Sequence, residues 1–511
     1  MSTDDYSFQW MPGSELAPEV LGECAELFSA HYGVWSPRGP RPGKSIRLSP
    51  EKLRGFLPKG SFAILARQDG ALIGHAFLLR TELPGRGVVS WVTQLVVHRA
   101  HRECGVARRL LFPLWGFSDH FAWGLVTSNP YAVRALERQT HRRCDPAMTR
   151  RYAGELEALG ATWIPYIRPG TITVEERRCV IDTAYDVDHA RVPEKLERAT
   201  QKGVPWTLGL IDEGEEWFAF TFNEQPQFPL EAWEVEQLLA RSDETAQWAY
   251  ARMVLDPSKQ AWLRHTDKEV DFALAQLGVA PGSAILDVGS GRGRHAVELA
   301  LRGYRVSAID FVPELVDGAR RDSEARGAST AQFRCEDART MALGESFDAA
   351  VCLYDVIGSF PEEASNQAIL DNLARHLKPG GHVIASVMNM EPTDRVAQHR
   401  AVISDDPNAL QRLIPSRAME QTGNVFDPRF LLIDPQTRVV YRREQFDAGH
   451  DAPMEIIVRD RRYTRDDVRA MCARAGLELL WARPVQLGRW DEELSPTDER
   501  AKELLFLARR P

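Results

Sequence analysis

The chain has 511 residues, 44% hydrophobic and 26% charged, with a formal net charge of -9. That length points to roughly two to four globular domains, and the acidic balance argues against a chain-wide basic face for nucleic acid. No apolar stretch nears the roughly 20 residues of a membrane helix. The acidic start MSTDDYSF lacks the apolar core of a secretory signal. Cys24, Cys104, Cys144, Cys179, Cys335, Cys352 and Cys472 are scattered without C-x-x-C spacing, so neither a disulfide framework nor a metal site is expected. A cytoplasmic location is the simplest reading.

In chain order, a Pro/Gly-rich loop at 37–45 precedes FAILARQDGALIGHAFLLR, which reads as two strands around an Asp69-Gly70 turn. VVSWVTQLVV (88–97) is a third strand, and a helix opens near Arg102-Glu103-Cys104-Gly105. TITVEERRCVIDTAYDV reads as a strand, VPEKLERAT as a helix, and WTLGLIDEGEEWFAFTF as a hairpin turning at DEGE. Trp217, Phe218, Phe220 and Phe222 follow strand period, which is core packing rather than a ligand cage. Residues 230–278 carry apolar residues at helical spacing.

From Ala284 onward strands alternate with helices: AILDV, RHAVELALR, YRVSAID, PELVDGARRDSEARG, AQFRCED, FDAAVCLY, ASNQAILDNLARHL and HVIASVM. Such alternation predicts a parallel sheet with helices on both faces. FLLIDPQTRVVYRREQF (430–446) reads as an antiparallel hairpin within an insertion at about 428–462, either a lid or an extra sheet edge. TRDDVRAMCARAG is a further helix, and ELLFLARR closes the sheet. The fold class expected is α/β: an N-terminal mixed domain (1–150), an accessory region (151–244) that completes it or walls a substrate site, and a doubly wound, mostly parallel sheet (245–511).

Asp287, Gly289, Ser290, Gly291 and Gly293 stand where a strand turns into a helix, as a ligand-binding turn requires. Twenty-one residues after Gly289 the next strand ends in Asp310, placed to accept ribose hydroxyls, with Phe311 beside it to cover a base. Arg294 fills the last position of a dinucleotide fingerprint, which favours S-adenosylmethionine (SAM) over NAD. The segments ILDVGSGRGRHA, VSAIDFVPELVDGAR, CEDARTM, FDAAVCLYDVIGSF and LARHLKPGGHVIASVMN resemble a class I SAM-dependent methyltransferase. The resemblance implies that Gly289, Ser290 and Gly291 line the methionine and ribose. It also implies that Asp310 holds the ribose, Phe311 and Ala338 flank adenine, Asp337 contacts its amino group, and Leu353 and Tyr354 border the sulfonium, with Tyr250 closing over it. By location His295, Tyr354 and Asp355 are candidate bases, although His295 also reads as a helix-start residue and Asp355 as a turn cap.

In the first domain, Leu95, Val97, Arg102, Gly105 and Ala107, followed by Asn129 and Ala132, resemble the acetyl-coenzyme A site of the GNAT acyltransferases. The resemblance implies an acyl-CoA ligand, with the Leu95 and Val97 amides on its pantetheine arm and Gly105 and Ala107 admitting the pyrophosphate. Leu136 occupies the place of the usual acid tyrosine, the central strand offers no carboxylate base, and Tyr131 or a water is left as the substitute. The architecture predicts a bifunctional enzyme that tailors a small molecule, an amine-bearing metabolite or a carrier-bound intermediate. The alternative is a methyltransferase whose N-terminal domain only binds or scaffolds.

Overall fold

A computed structural model of the chain describes residues 6–102, 104–115, 118, 120–200, 204–229, 231–240, 243–256, 258–446 and 454–511. Unit 1 comprises residues 1–229 with 447–455, and unit 2 comprises 230–446 with 456–511.

In unit 1, β1 (Ser7–Pro12), β2 (Ser61–Gln68), β3 (Ala71–Leu83) and β4 (Gly87–Val97) form an antiparallel meander. The β2–β3 turn places Asp69 and Gly70 at φ 49° and 80°, the left-handed pair that a two-residue hairpin needs. β5 (Ala122–Thr127) lies parallel to β4. β6 (Ile172–Glu175), β7 (Arg178–Asp182) and β8 (Glu215–Phe222) complete an eight-stranded sheet in the order β1-β2-β3-β4-β5-β8-β7-β6.

Two features depart from the sequence reading. The segment expected as one strand at 171–187 is a hairpin, because Glu176 and Arg177 turn β6 into β7. The expected 206–222 hairpin is absent: only Glu215–Phe222 is a strand, and it pairs with β5 and β7 instead. Its aromatic residues explain the choice. Trp217, Phe218, Phe220 and Phe222 are all fully buried, so this segment belongs inside a sheet rather than on a hairpin edge. Opposite Phe220 stands Gly124, whose missing Cβ leaves room for the ring; a Cβ there would lie 2.2 Å from it.

In unit 2, β9 (Ala284–Val288), β10 (Arg305–Asp310), β11 (Ala331–Cys335), β12 (Phe347–Cys352) and β13 (Leu377–Met388) are parallel neighbours in the order β11-β10-β9-β12-β13. Helices Arg294–Leu301, Pro313–Arg326 and Glu363–His376 make the crossovers. Core clusters built on alternate residues of these strands lie on opposite faces: Leu286 and Val288 belong to one, Ile285 and Ala308 to the other. β14 (His399–Arg400), β15 (Leu432–Ile433), β16 (Val439–Phe446) and β17 (Met454–Arg461) form a separate four-stranded sheet. The hairpin expected at 430–446 is β15–β16, with Leu432 opposite Tyr441. It pairs within this small sheet and adds no edge to the large one; residues 447–453 of the insertion lie outside the described residues. β18 (Glu478–Val485) and β19 (Glu503–Arg509) extend the large sheet antiparallel beyond β13.

The division between units falls after Pro229, not at 244/245. Helix Asp243–Ala251 is drawn to unit 2 by Phe311: Gln247 donates to its carbonyl at 2.6 Å, and the Tyr250 ring meets its ring edge-on at 6.4 Å.

Candidate active site

The site of unit 2 forms at the carboxyl ends of β9, β10 and β12, where the chain leaves each parallel strand and open sheets bind ligands. After β9, Gly289, Gly291 and Gly293 adopt φ of 72°, 55° and 76°, a run of left-handed backbone that other residues take only at a cost. Their roles differ. A Cβ on Gly289 would strike Val356 at 2.2 Å, and one on Gly293 would strike Phe333 at 2.7 Å, so these two glycines serve internal packing. Gly291 alone of the three faces open space.

Asp310 ends β10 and organises this loop. Its Oδ2 accepts from the Gly291 amide at 2.8 Å and its Oδ1 from the Val312 amide at 2.9 Å. Burial raises its pKa against those bonds. Asp287 is buried on β9, and desolvation pushes its carboxyl up to about 7, with Arg294 opposing and Asp310 adding to the shift. Asp287 Oδ2 and Ser290 Oγ are both enclosed without a hydrogen-bond partner. Two orphaned polar atoms beside an open glycine are what a polar ligand in this turn would satisfy. A nucleoside with an amino-acid tail offers donors for both oxygens, so the residues present fit SAM.

Phe311 and Tyr250 lie together at the adenine end of the predicted site. Asp337 is half-buried, and both its oxygens accept from Arg339, which bridges to Asp243 and stacks over Phe360 at 4.4 Å. Ala338 packs against the core, and its carbonyl accepts from Asn372 at 2.8 Å.

At the end of β12, Leu353 is buried, while Tyr354 and Asp355 take φ of 63° and 67°. Two successive non-glycine residues in this region store strain, and such strain concentrates at functional sites. Ser386 Oγ accepts from the Tyr354 amide at 2.9 Å, and the Tyr354 hydroxyl donates to Glu269. Glu269 also receives Arg294 and the His295 Nε2 at 2.7 Å. Burial works against its charge, but these partners hold Glu269 down at about 2. Burial and the adjacent Arg294 push His295 down to about 4, so its imidazole is neutral and donates to Glu269. His295 therefore belongs to a buried network in which its ring and those of Tyr354 and Trp490 pack as a mutual triad, each centroid within 6.3 Å of the other two. Sequence reasoning missed Glu269, which lies on a helix (Thr266–Leu277) upstream of the glycine turn, where no motif marks it.

Asp355 Oδ1 is likewise enclosed and unpartnered. Burial raises its pKa well above the usual carboxylate value; Asp460 adds to the rise, and Arg462 and Arg442 counter it. Arg462 Nε donates to Asp460 at 3.1 Å, and Arg442 lies 3.5 Å from the same carboxylate. These charges come from β16 and from the segment at the end of β17, so the small sheet supplies one wall of charged residues beside Asp355.

Against this geometry the known proteins can be set. Residues 285–381 match the family model described as a methyltransferase domain. A ubiquinone biosynthesis O-methyltransferase of Xanthomonas oryzae pv. oryzae is 34% identical over 125 residues, covering 24% of this chain and 50% of the relative. One from Xanthomonas campestris pv. campestris matches to the same extent. The chain thus spans half the length of the curated relatives it matches. Among solved structures, a SAM-dependent methyltransferase from Clostridium acetobutylicum aligns at 13% identity over 48% of this chain and 91% of that one, with a TM-score of 0.35.

In unit 1 the residues named from the sequence gather where β4 and β5 part. The two strands pair from Val89–Ala122 to Val92–Leu125 and no further, although β4 runs on to Val97 beside β3 and β5 runs on to Thr127 beside β8. The sheet therefore opens into a wedge, and the edge of β4 that carries Leu95 and Val97 faces it without a strand partner among the described residues. A bulge at Thr93 marks the start of the opening, where Phe77 pairs with Gln94 but Leu78 with Val92. Gly105 (φ 79°) precedes helix Val106–Trp115 with open space around its Cα, and Ala107 lies in the first turn. Arg102 turns elsewhere: its Nε donates to the Val97 carbonyl at 3.1 Å and its Nη2 to His31. Asn129 caps helix Pro130–Thr140 by accepting from the Tyr131 amide at 3.2 Å. Leu136 is fully buried in the core, which accounts for an apolar residue there, and Tyr131 is 39% exposed. No described helix is long and apolar enough to cross a membrane.

Proposed function

We propose that unit 2 transfers the methyl group of SAM to a small-molecule acceptor. The observation that carries this reading is the Asp310 carboxylate bonded to the Gly291 amide, with the orphaned oxygens of Asp287 and Ser290 beside the open glycine. The methyltransferase-domain match over 285–381 supports it. Ser290, Gly291, Asp287 and Asp310 would hold the methionine and ribose, and Phe311, Tyr250, Asp337 and Ala338 the adenine. When bound, the sulfonium supplies an already activated methyl group. The chain has only to orient an acceptor in line with it and exclude water, and positioning of this kind accounts for much of such a rate enhancement. Tyr354 and Asp355 border that position, and Asp355, unpartnered at Oδ1, is the residue suited to receive the acceptor's proton. Calorimetry with SAM tests the reading: Asp310→Ala is expected to weaken binding at least ~100-fold, because both the ribose acceptor and the loop's anchor are lost. Unchanged affinity would refute the site.

The wedge in unit 1 favours a second activity, acyl transfer from acetyl-CoA or another acyl-CoA. The open β4 edge at Leu95 and Val97 supports an extended amide-bearing arm lying along it, as a strand would, and the free turn at Gly105 leads into a helix start suited to pyrophosphate. The two activities together fit a bifunctional enzyme that tailors an amine-bearing small molecule. Native mass spectrometry with acetyl-CoA and SAM, separately and together, tests this: two independent adducts are expected, and a SAM adduct alone would leave unit 1 as a scaffold.

A further inference from the structure

Acyl transfer to an amine needs a group that takes a proton from nitrogen, and β4 offers Trp91, Thr93 and Gln94 but no carboxylate. A carboxylate reaches the same place from a distant part of the chain. β8 runs antiparallel to β5 with Trp217 opposite Thr127, so Glu216 falls opposite Ser128, three residues past Leu125, where β5 leaves β4. The Ser128 amide and the Thr183 hydroxyl lie close enough to the Glu216 carboxylate to favour its charged form against burial. Glu216 itself is 6% exposed. Tyr32 from the end of helix Pro18–His31, Tyr166 from beyond helix Pro146–Trp163, and Tyr185 from beyond β7 are its charge-sensing neighbours, and all three are half-buried. Tyr32 and Tyr185 pack on a cluster that includes Val96 of β4, on the strand segment past the wedge. Glu216 is thus a buried carboxylate within electrostatic reach of three partly exposed phenols.

We propose that Glu216 is the general base of an amine-acceptor pocket in unit 1, rimmed by Tyr32, Tyr166 and Tyr185. The inference rests on the acyl-transfer reading of this unit. Glu216 removes a proton from the acceptor ammonium. The freed nitrogen forms a C–N bond to the thioester carbonyl carbon, the C–S bond breaks, and the nitrogen's second proton ends on the departing thiolate. Water can take the amine's place: Glu216 takes one proton, a C–O bond forms, and the thiolate leaves with acetic acid as the other product. Desolvation pushes the Glu216 carboxyl up to about 7, so it changes charge within the working range of a base. The tyrosines stay protonated because burial raises each of them, and Glu216 adds to the rise.

The test uses the full-length protein and acetyl-CoA, with water as the acceptor. Coenzyme A release is followed from pH 6 to pH 9, and acetyl-CoA affinity is measured alongside. The wild-type rate is expected to rise through about pH 7 and level off. Glu216→Gln should lose about 100-fold at pH 8 and the rise with pH, at unchanged acetyl-CoA affinity. A Glu216→Gln rate within about twofold of wild type, or no release above the protein-free rate from a wild type that binds acetyl-CoA, would overturn the assignment. Should Glu216→Gln fail to bind acetyl-CoA, Glu216→Asp decides: a slower rate that still rises with pH supports the base, and a flat profile overturns it. A wild type that binds no acetyl-CoA is a different failure, because it overturns the acyl-transfer reading of unit 1.

Discussion

Units 1 and 2 both build their candidate sites where neighbouring parallel strands end, yet from opposite materials. In unit 2 the decisive residues lie within a short stretch of chain: Asp287, Ser290 and Gly291 in one turn, and Asp310 at the end of the next strand. In unit 1 the wedge is an interruption of pairing between β4 and β5, and its buried acid arrives from β8, more than 100 residues after β4. A turn that binds a ligand through its own backbone is a local object. A gap in a sheet is a relation between strands, and it has no residue type of its own. The glycines show the same contrast: Gly124 in unit 1 makes room for an aromatic ring, whereas Gly291 in unit 2 faces a space with nothing in it.

The strongest way to break the comparison is to add a methyl group at each glycine. Gly293→Ala must place a side chain at φ 76° and 2.7 Å from Phe333. It is expected to cost unit 2 about 3 kcal/mol, from left-handed strain and overpacking together. Gly124→Ala meets Phe220 but no backbone strain and should cost unit 1 about 2 kcal/mol. Denaturant titration followed by tryptophan fluorescence checks both, and equal, negligible losses would contradict the packing described here.

A second measurement concerns the buried histidine of unit 2. His295 has its folded pKa lowered from 6.5 to about 4, so between those values the unfolded chain holds a proton that the folded chain does not. Its contribution to stability is present above pH 6.5 and declines as the pH falls. Relative to a His295→Gln variant, the wild type should lose about 2 kcal/mol between pH 7 and pH 5. Asp287, raised to about 7, shifts in the opposite sense, gaining stability as pH falls, but it does so in both proteins and leaves the difference intact. A constant gap between wild type and variant would show that the fold leaves the His295 pKa where the unfolded chain has it.

The smallest effect on stability should come from Gly291→Ala. With open space around it, only the left-handed backbone at φ 55° opposes the change, at about 1 kcal/mol. SAM affinity should nonetheless fall at least ~10-fold in calorimetry, because the methyl group enters the space where the nucleoside would approach. Gly293→Ala with intact SAM affinity and Gly291→Ala without it would sharpen the division between packing and binding glycines.

Much of unit 2 was legible before the structure. Strand–turn–helix alternation from Ala284 onward is written in hydrophobic periodicity, and Gly289–Gly293 and Asp310 mark a glycine turn with a carboxylate after the next strand by residue type and spacing. The role of each glycine was not legible, because Val356 and Phe333, which fill the spaces at Gly289 and Gly293, come from loops and strands later in the chain. His295 illustrates the same limit. Its position at a helix start is visible in the sequence, but its pairing with Glu269 is not, since nothing local connects residues 26 apart on two different helices. The 206–222 region erred for a related reason: alternation favoured a hairpin, while long-range burial of Trp217 to Phe222 placed the strand between β5 and β7.

By itself, then, the amino-acid sequence determined that strands and helices alternate from Ala284 onward, which turn carries glycines, and which carboxylate follows it at the end of the next strand. These are properties of near neighbours along the chain, governed by backbone preference and periodic burial. Tertiary structure alone decided that β4 and β5 separate after Val92 and Leu125, that Glu216 stands at that opening, and that Glu269 gathers Arg294, His295 and Tyr354. Desolvation and charge pairing act through space, and only the folded chain brings those groups within reach of one another.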